Sequence, residues 1–393
     1  MPSSSHSTRS GALWPFFLAA SAWNFALGMS YILVPLYAYE LGYSALAIGG
    51  ILSLPVVAHI VIALVGGAYT DRIGGRRMAL GAFFCFAVAG AVFAVSQSFA
   101  ALLVGQLFLV VSRATFWPAI WSVGSQLPGD RGTQMGRLNA VTNGAQILGT
   151  GAAGLLVALV GFGAGFWVLA AASIGAFAAM FRFHEPVVTH ARASGGLFAA
   201  YAALLRRRTP YYGIACSTFA ALPLTLSMSF YPILLVEQGH SSDAAGWMLA
   251  LRALGGALIG AAAGRYVRTA QGWNLPLVAS IWIALCVIAV AYFTHPAAVS
   301  LLLFGVGVGS GLMTLVFQML VAETSSPAER GSALALSGVG WQLSHAVVPI
   351  VMGALADRYG VATAFPILGA AAALLALGFV PLHRWAMRPA RPV

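Results

Sequence analysis

Arg113 and Arg252 are the two charges that fall well inside long apolar stretches of this chain. A guanidinium in such surroundings has to be answered. Backbone carbonyls, water or a carboxylate reaching in from a helix end can do so, as can an anionic group of a bound molecule, which it grips through two parallel N–H bonds. No carboxylate sits near the middle of an apolar stretch. Glu40, Glu237 and Asp243 fall at segment ends on one side, and Asp71, Asp130, Glu323 and Glu329 at segment ends on the other. Arg252 is near enough to its own segment end to stretch toward Glu237 or Asp243. Two histidines, His59 and His345, also lie in apolar stretches, and imidazole is the side chain suited to carry a proton near neutral pH. His59 and His345 are therefore the candidates for proton handling.

His345 belongs to a pattern. Pro128-Gly-Asp-Arg131-Gly132 recurs as Pro327-Ala-Glu-Arg330-Gly331, an offset of 330 − 131 = 199. Asn143 and Gln146 share a helix face, with Asn139 one turn earlier. The same offset carries Asn143 to Gln342 and Gln146 to His345. Two repeat-related polar faces on otherwise apolar helices are what a substrate passage between two similar halves requires. Aromatic walls come from Tyr31 and Trp117, with Trp23, Trp121, Phe219, Phe230, Tyr231 and Trp341 as further candidates. Asn24 and Gln318 are additional polar groups. The candidate substrate-binding set is thus Arg113, Trp117, Asn143, Gln146, Arg252, Gln342, His345, Tyr31, Asn24 and Gln318.

The elements that must hold these residues are membrane helices. The chain of 393 residues is 60% hydrophobic and 7% charged, with a mean hydropathy of +0.88. That excludes a soluble domain and indicates a polytopic membrane protein. Twelve apolar segments follow, near 12–36, 44–68, 77–95, 100–122, 134–160, 162–182, 210–236, 243–265, 274–294, 297–322, 329–356 and 362–383. The expected fold is an all-α membrane protein of 12 transmembrane helices in two pseudo-symmetric six-helix bundles. Residues 1–182 form the first bundle, 183–209 a linker with an amphipathic Leu197–Leu205 stretch, and 210–393 the second bundle.

The net charge of +11 comes wholly from arginine. All arginines except Arg113, Arg252 and Arg358 fall on one side of the segments. This is the positive-inside pattern, so the counter-charge is the anionic cytoplasmic leaflet and not nucleic acid. Both termini are expected in the cytoplasm, in a bacterial inner or plasma membrane. The start of the chain reads as a short tail before a retained first helix, not a cleaved signal. Cys85, Cys216 and Cys286 each lie inside an apolar segment, which argues against a disulfide framework, and no ligand spacing suggests a metal. No phosphate loop, cofactor motif or catalytic constellation is present, so neither an enzyme nor an ATP-driven pump is expected.

The turn after the second segment, Gly67-Ala-Tyr-Thr-Asp71-Arg72-Ile-Gly74-Gly-Arg76-Arg77, packs four charges into one short loop. With its place after the second of twelve segments, it resembles the loop 2–3 signature of the major facilitator superfamily of secondary transporters. Gly75 departs from that pattern, standing where a basic residue is usual. The resemblance implies rocker-type alternating access by a monomer around a central small-molecule site. It makes Gly67, Asp71, Arg72, Gly74, Arg76 and Arg77 a conformational latch, and Arg113 matches a helix 4 arginine of proton-coupled members. The motifs lean toward the proton-coupled drug and organic-solute branches. Helix 5, however, has Gly149-Thr150 where antiporters tend to carry Gly-Pro. Gly353-Ala-Leu-Ala-Asp357-Arg358-Tyr-Gly360 imitates the signature on the opposite side and reads as a tight, paired loop, not a ligand site. Two functions fit: proton-coupled movement of a small anionic or zwitterionic organic solute, or, as the alternative, proton-antiport efflux of amphiphilic drugs.

Overall fold

The computed structural model describes residues 13–62, 73–184, 197–262, 274–326 and 329–387. Of the signature loop, Gly67, Asp71 and Arg72 lie outside these residues. Among the described residues eight helices are long and apolar enough to cross a membrane, or nine when one bent pair is taken as a single span. The 52-residue helix Arg131–Arg182 is two spans. Gly161 breaks it with φ 81°, a left-handed conformation that only glycine adopts without strain. With Ser242–Ala262 and the shorter apolar helix Asn274–Val290, the described residues hold twelve helical segments in the order the expected fold requires.

In chain order these are α1 (Trp14–Glu40), α2 (Ala45–Ile62), α3 (Gly75–Val95), α4 (Phe99–Gly124), α5 (131–160) and α6 (162–182). The second set is α7 (Thr209–Ser227 and Phe230–Glu237), α8 (Ser242–Ala262), α9 (Asn274–Val290), α10 (Pro296–Thr324), α11 (Arg330–Ser337 and Val339–Tyr359) and α12 (Val361–Leu377 and Phe379–Ala386). The linker carries a short helix, Leu197–Leu205. Its following Arg207 makes a bidentate ion pair with Glu329 at 2.9 Å.

Local signals explain the starts. Ser44 and Ser98 accept the backbone N–H groups of Ala47 and Ala101, capping α2 and α4. Asp130 caps α5, its Oδ2 accepting from the Thr133 N–H and hydroxyl, both at 2.7 Å. The Thr133 hydroxyl is the largest influence holding the Asp130 carboxyl below its ordinary value.

The pairing of helices repeats between the halves. α3 packs on α4 as α9 packs on α10, and α9 meets α12 as α3 meets α6. α1 lies on α5, where a side chain at Gly28 or Gly149 would strike backbone, and α7 lies on α11 around Gly340. Large aromatics fill the cores, among them Trp23, Phe83, Phe86, Phe93, Phe116 and Phe166 in one half and Tyr212, Phe230, Tyr231 and Phe365 in the other.

Between the halves α2 packs on α11 and α5 on α8. A series of hydrogen bonds joins the halves from the arginine-poor end to the membrane centre. Asp357 accepts from the Ala45 and Leu46 N–H groups at 2.7 and 3.1 Å, and Tyr39 donates to Glu237 at 3.2 Å. Ser242 donates to the Gly154 carbonyl at 3.2 Å, and Ser53 to the His345 carbonyl at 3.3 Å. The His59–Gln342 contact completes the series at 3.0 Å. The imitation signature, through Asp357, is therefore a contact between halves.

Candidate functional site

Arg113 follows directly after the anchor of its helix. Ser112 donates to the Ala82 carbonyl of α3 at 2.7 Å and accepts from the Trp23 indole of α1 at 2.9 Å. Trp23 in turn stacks on Phe116 with ring centroids 3.6 Å apart. This knot fixes the level and rotation of α4, and Arg113 is left 9% exposed with its Nε buried and unpartnered. Arg252 is 6% exposed and its Nε is likewise buried without a partner. Its backbone is pinned against α10, where a Cβ at Gly307 would collide with the Arg252 carbonyl. Among the described residues neither arginine makes a hydrogen bond or an ion pair, so Arg252 does not stretch to Glu237 or Asp243.

Both arginines lie within electrostatic reach of the Tyr31 hydroxyl, and Arg252 also reaches Tyr231. Tyr31 is 4% exposed and makes no hydrogen bond among the described residues. The Tyr231 hydroxyl is buried and unsatisfied. His59 and His345 also lie within electrostatic reach of Arg113. His345 Nδ1 is 2.7 Å from the Thr225 hydroxyl, which also meets Ser344 Oγ and the Ala221 carbonyl at 3.0 Å. His59 Nε2 is 3.0 Å from Gln342 Nε2, whose own Oε1 is buried and unsatisfied. Trp341 lies edge-on to His345.

The bend in α7 shapes this region. Its two pieces meet at 46° across Met228 and Ser229. Ser227 and Ser229 donate to the Pro223 and Thr225 carbonyls one turn back. Irregular backbone at membrane depth is tolerated where such partners re-satisfy it, and it characteristically borders a transport site.

The remaining candidates are placed differently. Asn24 is fully buried. Its Nδ2 donates to the Ala20 carbonyl of its own helix at 2.8 Å, and its Oδ1 is unsatisfied. Trp117 is half-buried, edge-on to Trp23 and Phe116. Asn143 and Gln318 are exposed and Gln146 is half-buried, with no side-chain hydrogen bonds among the described residues. Gly74 has φ 91° at the start of α3. Arg76 donates to the Met180 and Phe181 carbonyls at the end of α6, within its own half, while Arg77 is exposed. Thr225, Ser344 and Ser53 are members of the cluster that sequence reasoning passed over.

A family model described as Major Facilitator Superfamily matches residues 16–314 and, again, 213–393. The chain belongs to the major facilitator superfamily. Membership makes it a multi-pass membrane transporter and implies transport rather than catalysis. No curated protein matches the sequence significantly. Solved structures of superfamily transporters match its fold over nearly its whole length. A point mutant of the nucleoside transporter NupG superposes with a TM-score of 0.81 at 16% identity, covering 94% of this chain and 100% of that one. A bacterial homologue of the human lysosomal transporter Spinster, inward-facing and occupied, gives 0.75 at 14% identity, covering 96% and 98%. A POT family transporter in complex with 5-aminolevulinic acid gives 0.74 at 11% identity, covering 96% of each chain. At these identities the likeness is one of fold. The superfamily assignment rests on the family model, and none of these matches supports the proton-coupled drug branch.

Proposed function

We propose that this chain moves a small organic anion or zwitterion across the bacterial inner membrane by alternating access coupled to protons. Residues 1–182 and 210–393 act as the two rocking units, 183–209 as their link. The arginine-rich end, with both termini, faces the cytoplasm, as the positive-inside rule requires. The observation that carries the reading is the pair of buried arginines, Arg113 and Arg252, whose Nε atoms are buried and unpartnered among the described residues. Removing a charge from water costs several kcal/mol even after relaxation, and among the described residues no carboxylate pairs with either group to offset it. An anionic substrate group is the natural partner, taken by two parallel N–H bonds.

His345 and His59 are the protonatable groups of the cluster, and both reach Arg113 electrostatically, so substrate charge on Arg113 and protonation of the histidines influence one another. Gly74, Arg76 and Arg77, with Gly67, Asp71 and Arg72 beside them in sequence, form the switch at the cytoplasmic end.

A thermal-shift screen of the purified protein against organic acids and amphiphilic cations, repeated across pH, tests the reading. Organic acids are expected to raise the melting temperature of the wild type and to lose that effect in Arg113→Gln, which still melts cooperatively. Stabilisation by amphiphilic cations alone would overturn it in favour of drug efflux.

A further inference from the structure

We infer that the junction of the linker with α7 and the end of α12 is a headgroup site for an anionic phospholipid of the leaflet at the arginine-rich end. The site lies on the rim of the second half, and the inference does not depend on which solute is transported.

Contacts around one indole build it. Arg208, the N-cap residue of α7, lays its guanidinium over the Trp385 ring of α12, 5.3 Å from the centroid, and donates through Nη1 to the Trp385 carbonyl at 3.5 Å. Tyr211 meets the same indole edge-on with ring centroids 6.0 Å apart, and its hydroxyl donates to the Leu205 carbonyl at 3.0 Å. The last turn of the linker helix, the first turn of α7 and the last turn of α12 are thereby held together. Arg206, Arg208 and Arg384 come to one rim, all exposed. Arg207 does not join them, because Glu329 occupies it in the bidentate pair. Among the described residues the other three arginines have no carboxylate partner, so three positive charges stand uncompensated.

The occupant follows from what surrounds those charges. Trp385, Tyr211 and Leu205 are exposed beside them. Indole and phenol rings next to guanidinium groups at the end of a spanning helix are the composition of a bilayer interface, where the rings sit at headgroup level and the cations meet phosphate. Leu197–Leu205 carries no charged residue, so it supplies apolar surface for the acyl boundary immediately before the arginines. A soluble phosphate would gain from the charge alone, whereas a phospholipid gains from the charge and the apolar surface together. A zwitterionic headgroup brings a cation of its own that three arginines repel, and a net-negative headgroup does not. Stacked on and bonded to Trp385, the Arg208 fork is already ordered, so less side-chain freedom is lost when a phosphate oxygen binds.

Native mass spectrometry of the purified full-length protein in detergent tests the inference by counting bound lipid as phosphatidylglycerol or phosphatidylcholine of identical acyl chains is titrated in. The wild type is expected to bind phosphatidylglycerol about tenfold or more tightly than phosphatidylcholine. Arg208→Gln and Arg384→Gln should each weaken phosphatidylglycerol binding about fivefold, the worth of one arginine at an anionic surface, and leave phosphatidylcholine unchanged. Arg384 is exposed and makes no hydrogen bond or ion pair among the described residues, so its variant carries the test if Arg208→Gln fails to fold. Arg137→Gln removes one exposed charge from the arginine-rich end of the first half and should change neither lipid. An excess of inorganic phosphate should leave the bound lipid in place. Equal weakening by Arg137→Gln and Arg208→Gln would mean a diffuse charge effect and overturn the site. Phosphatidylcholine bound as tightly as phosphatidylglycerol, or full displacement of the lipid by inorganic phosphate, would overturn the assignment to an anionic phospholipid.

Discussion

At the scale of single residues, Thr225 decides how the histidine side of the cluster is wired. Its hydroxyl meets the Ala221 carbonyl, Ser344 Oγ and His345 Nδ1 at 3.0, 3.0 and 2.7 Å. One hydroxyl proton serves one acceptor. The arrangement that satisfies every group has Thr225 donating to Ala221 and accepting from Ser344 and from an Nδ1–H of His345. That tautomer leaves the His345 Nε2 lone pair as the proton-accepting atom. Thr225→Val removes the constraint, while Thr225→Ser keeps it. The valine variant is expected to show a displaced pH profile of initial uptake rate and to lose about 1 kcal/mol of stability, and the serine variant to follow the wild type. Superimposable pH profiles for all three would exclude His345 as the proton site. What the sequence showed and what it hid separate along the same chemistry. Arg113, Arg252, His59, His345, Gln342 and Tyr31 stood out because their side chains are conspicuous in apolar runs. Thr225 and Ser344 did not, because a hydroxyl on a membrane helix ordinarily bonds to its own turn, as Thr142 and Ser173 do here. Asn143 and Gln318 were visible as polar residues, but rotation about the helix axis decides what they face, and that follows from packing.

At the scale of helices, the α8–α10 contact sets where Arg252 stands. A side chain at Gly307 would strike the Arg252 carbonyl, and one at Gly255 the Phe304 carbonyl, so the two backbones lie against one another. Close approach of this kind is the usual role of small residues in membrane helices. Gly307→Val should force the helices apart, lower stability by about 1–3 kcal/mol and weaken anion binding, because it moves Arg252. Gly260→Ala, on the same α8 with nothing within 4 Å of the added methyl, should be neutral or gain up to about 1 kcal/mol. Thermal melting with and without ligand distinguishes the pair. A second element-scale expectation concerns the tie between the linker and α11. Hydrogen bonds from Arg207 are the main cause holding the Glu329 carboxyl below its ordinary value of 4.5. A depressed acid stabilises the fold fully above its unfolded pKa and loses that contribution as pH falls through the folded one. Wild type and Arg207→Gln should therefore differ in melting temperature at pH 7 and converge below pH 4. The twelve segments were legible from hydropathy, including the α5–α6 break within one residue of Gly161. The bend in α7 was not, because Ser227–Ser229 sits in an apolar run and its side-chain bonds are local, each hydroxyl reaching the carbonyl four residues back, as serines do in unbroken helices.

At the scale of the whole molecule, the halves are fastened at the arginine-poor end, and alternating access requires that fastening to open. Asp357 is its centre. The carboxylate sits on the exposed N-terminus of α2, accepting from Ala45 and Leu46, where two free N–H groups and the helix dipole favour negative charge. Beside it lies a cavity of about 230 Å³ lined by Tyr39, Ile48, Glu237 and Asp357, with Tyr39 bonded to Glu237 across the same seam. The tight, paired loop expected from the imitation signature is thus paired with the opposite half, so its acid is released whenever the halves separate there. A capping carboxylate contributes about 1 kcal/mol, which is roughly fivefold in the ratio of closed to open molecules. Asp357→Ala should shift the population toward the form open at this end by about that factor. Asp357→Asn should do less, since an asparagine oxygen still caps. Ile48 is 1% exposed in the closed form and lines the cavity, so Ile48→Cys, in a background with Cys85, Cys216 and Cys286 replaced by serine, reports opening through its rate of reaction with a maleimide. The rate should rise in the order wild type, Asp357→Asn, Asp357→Ala, and an organic acid that stabilises the wild type should change it in the wild type but not in Arg113→Gln. Labelling indifferent to both Asp357 substitutions would mean that the seam is held by the backbone contacts of Gly49 with Pro349 and of Gly353 with Ala45, and that the carboxylate has no part in gating.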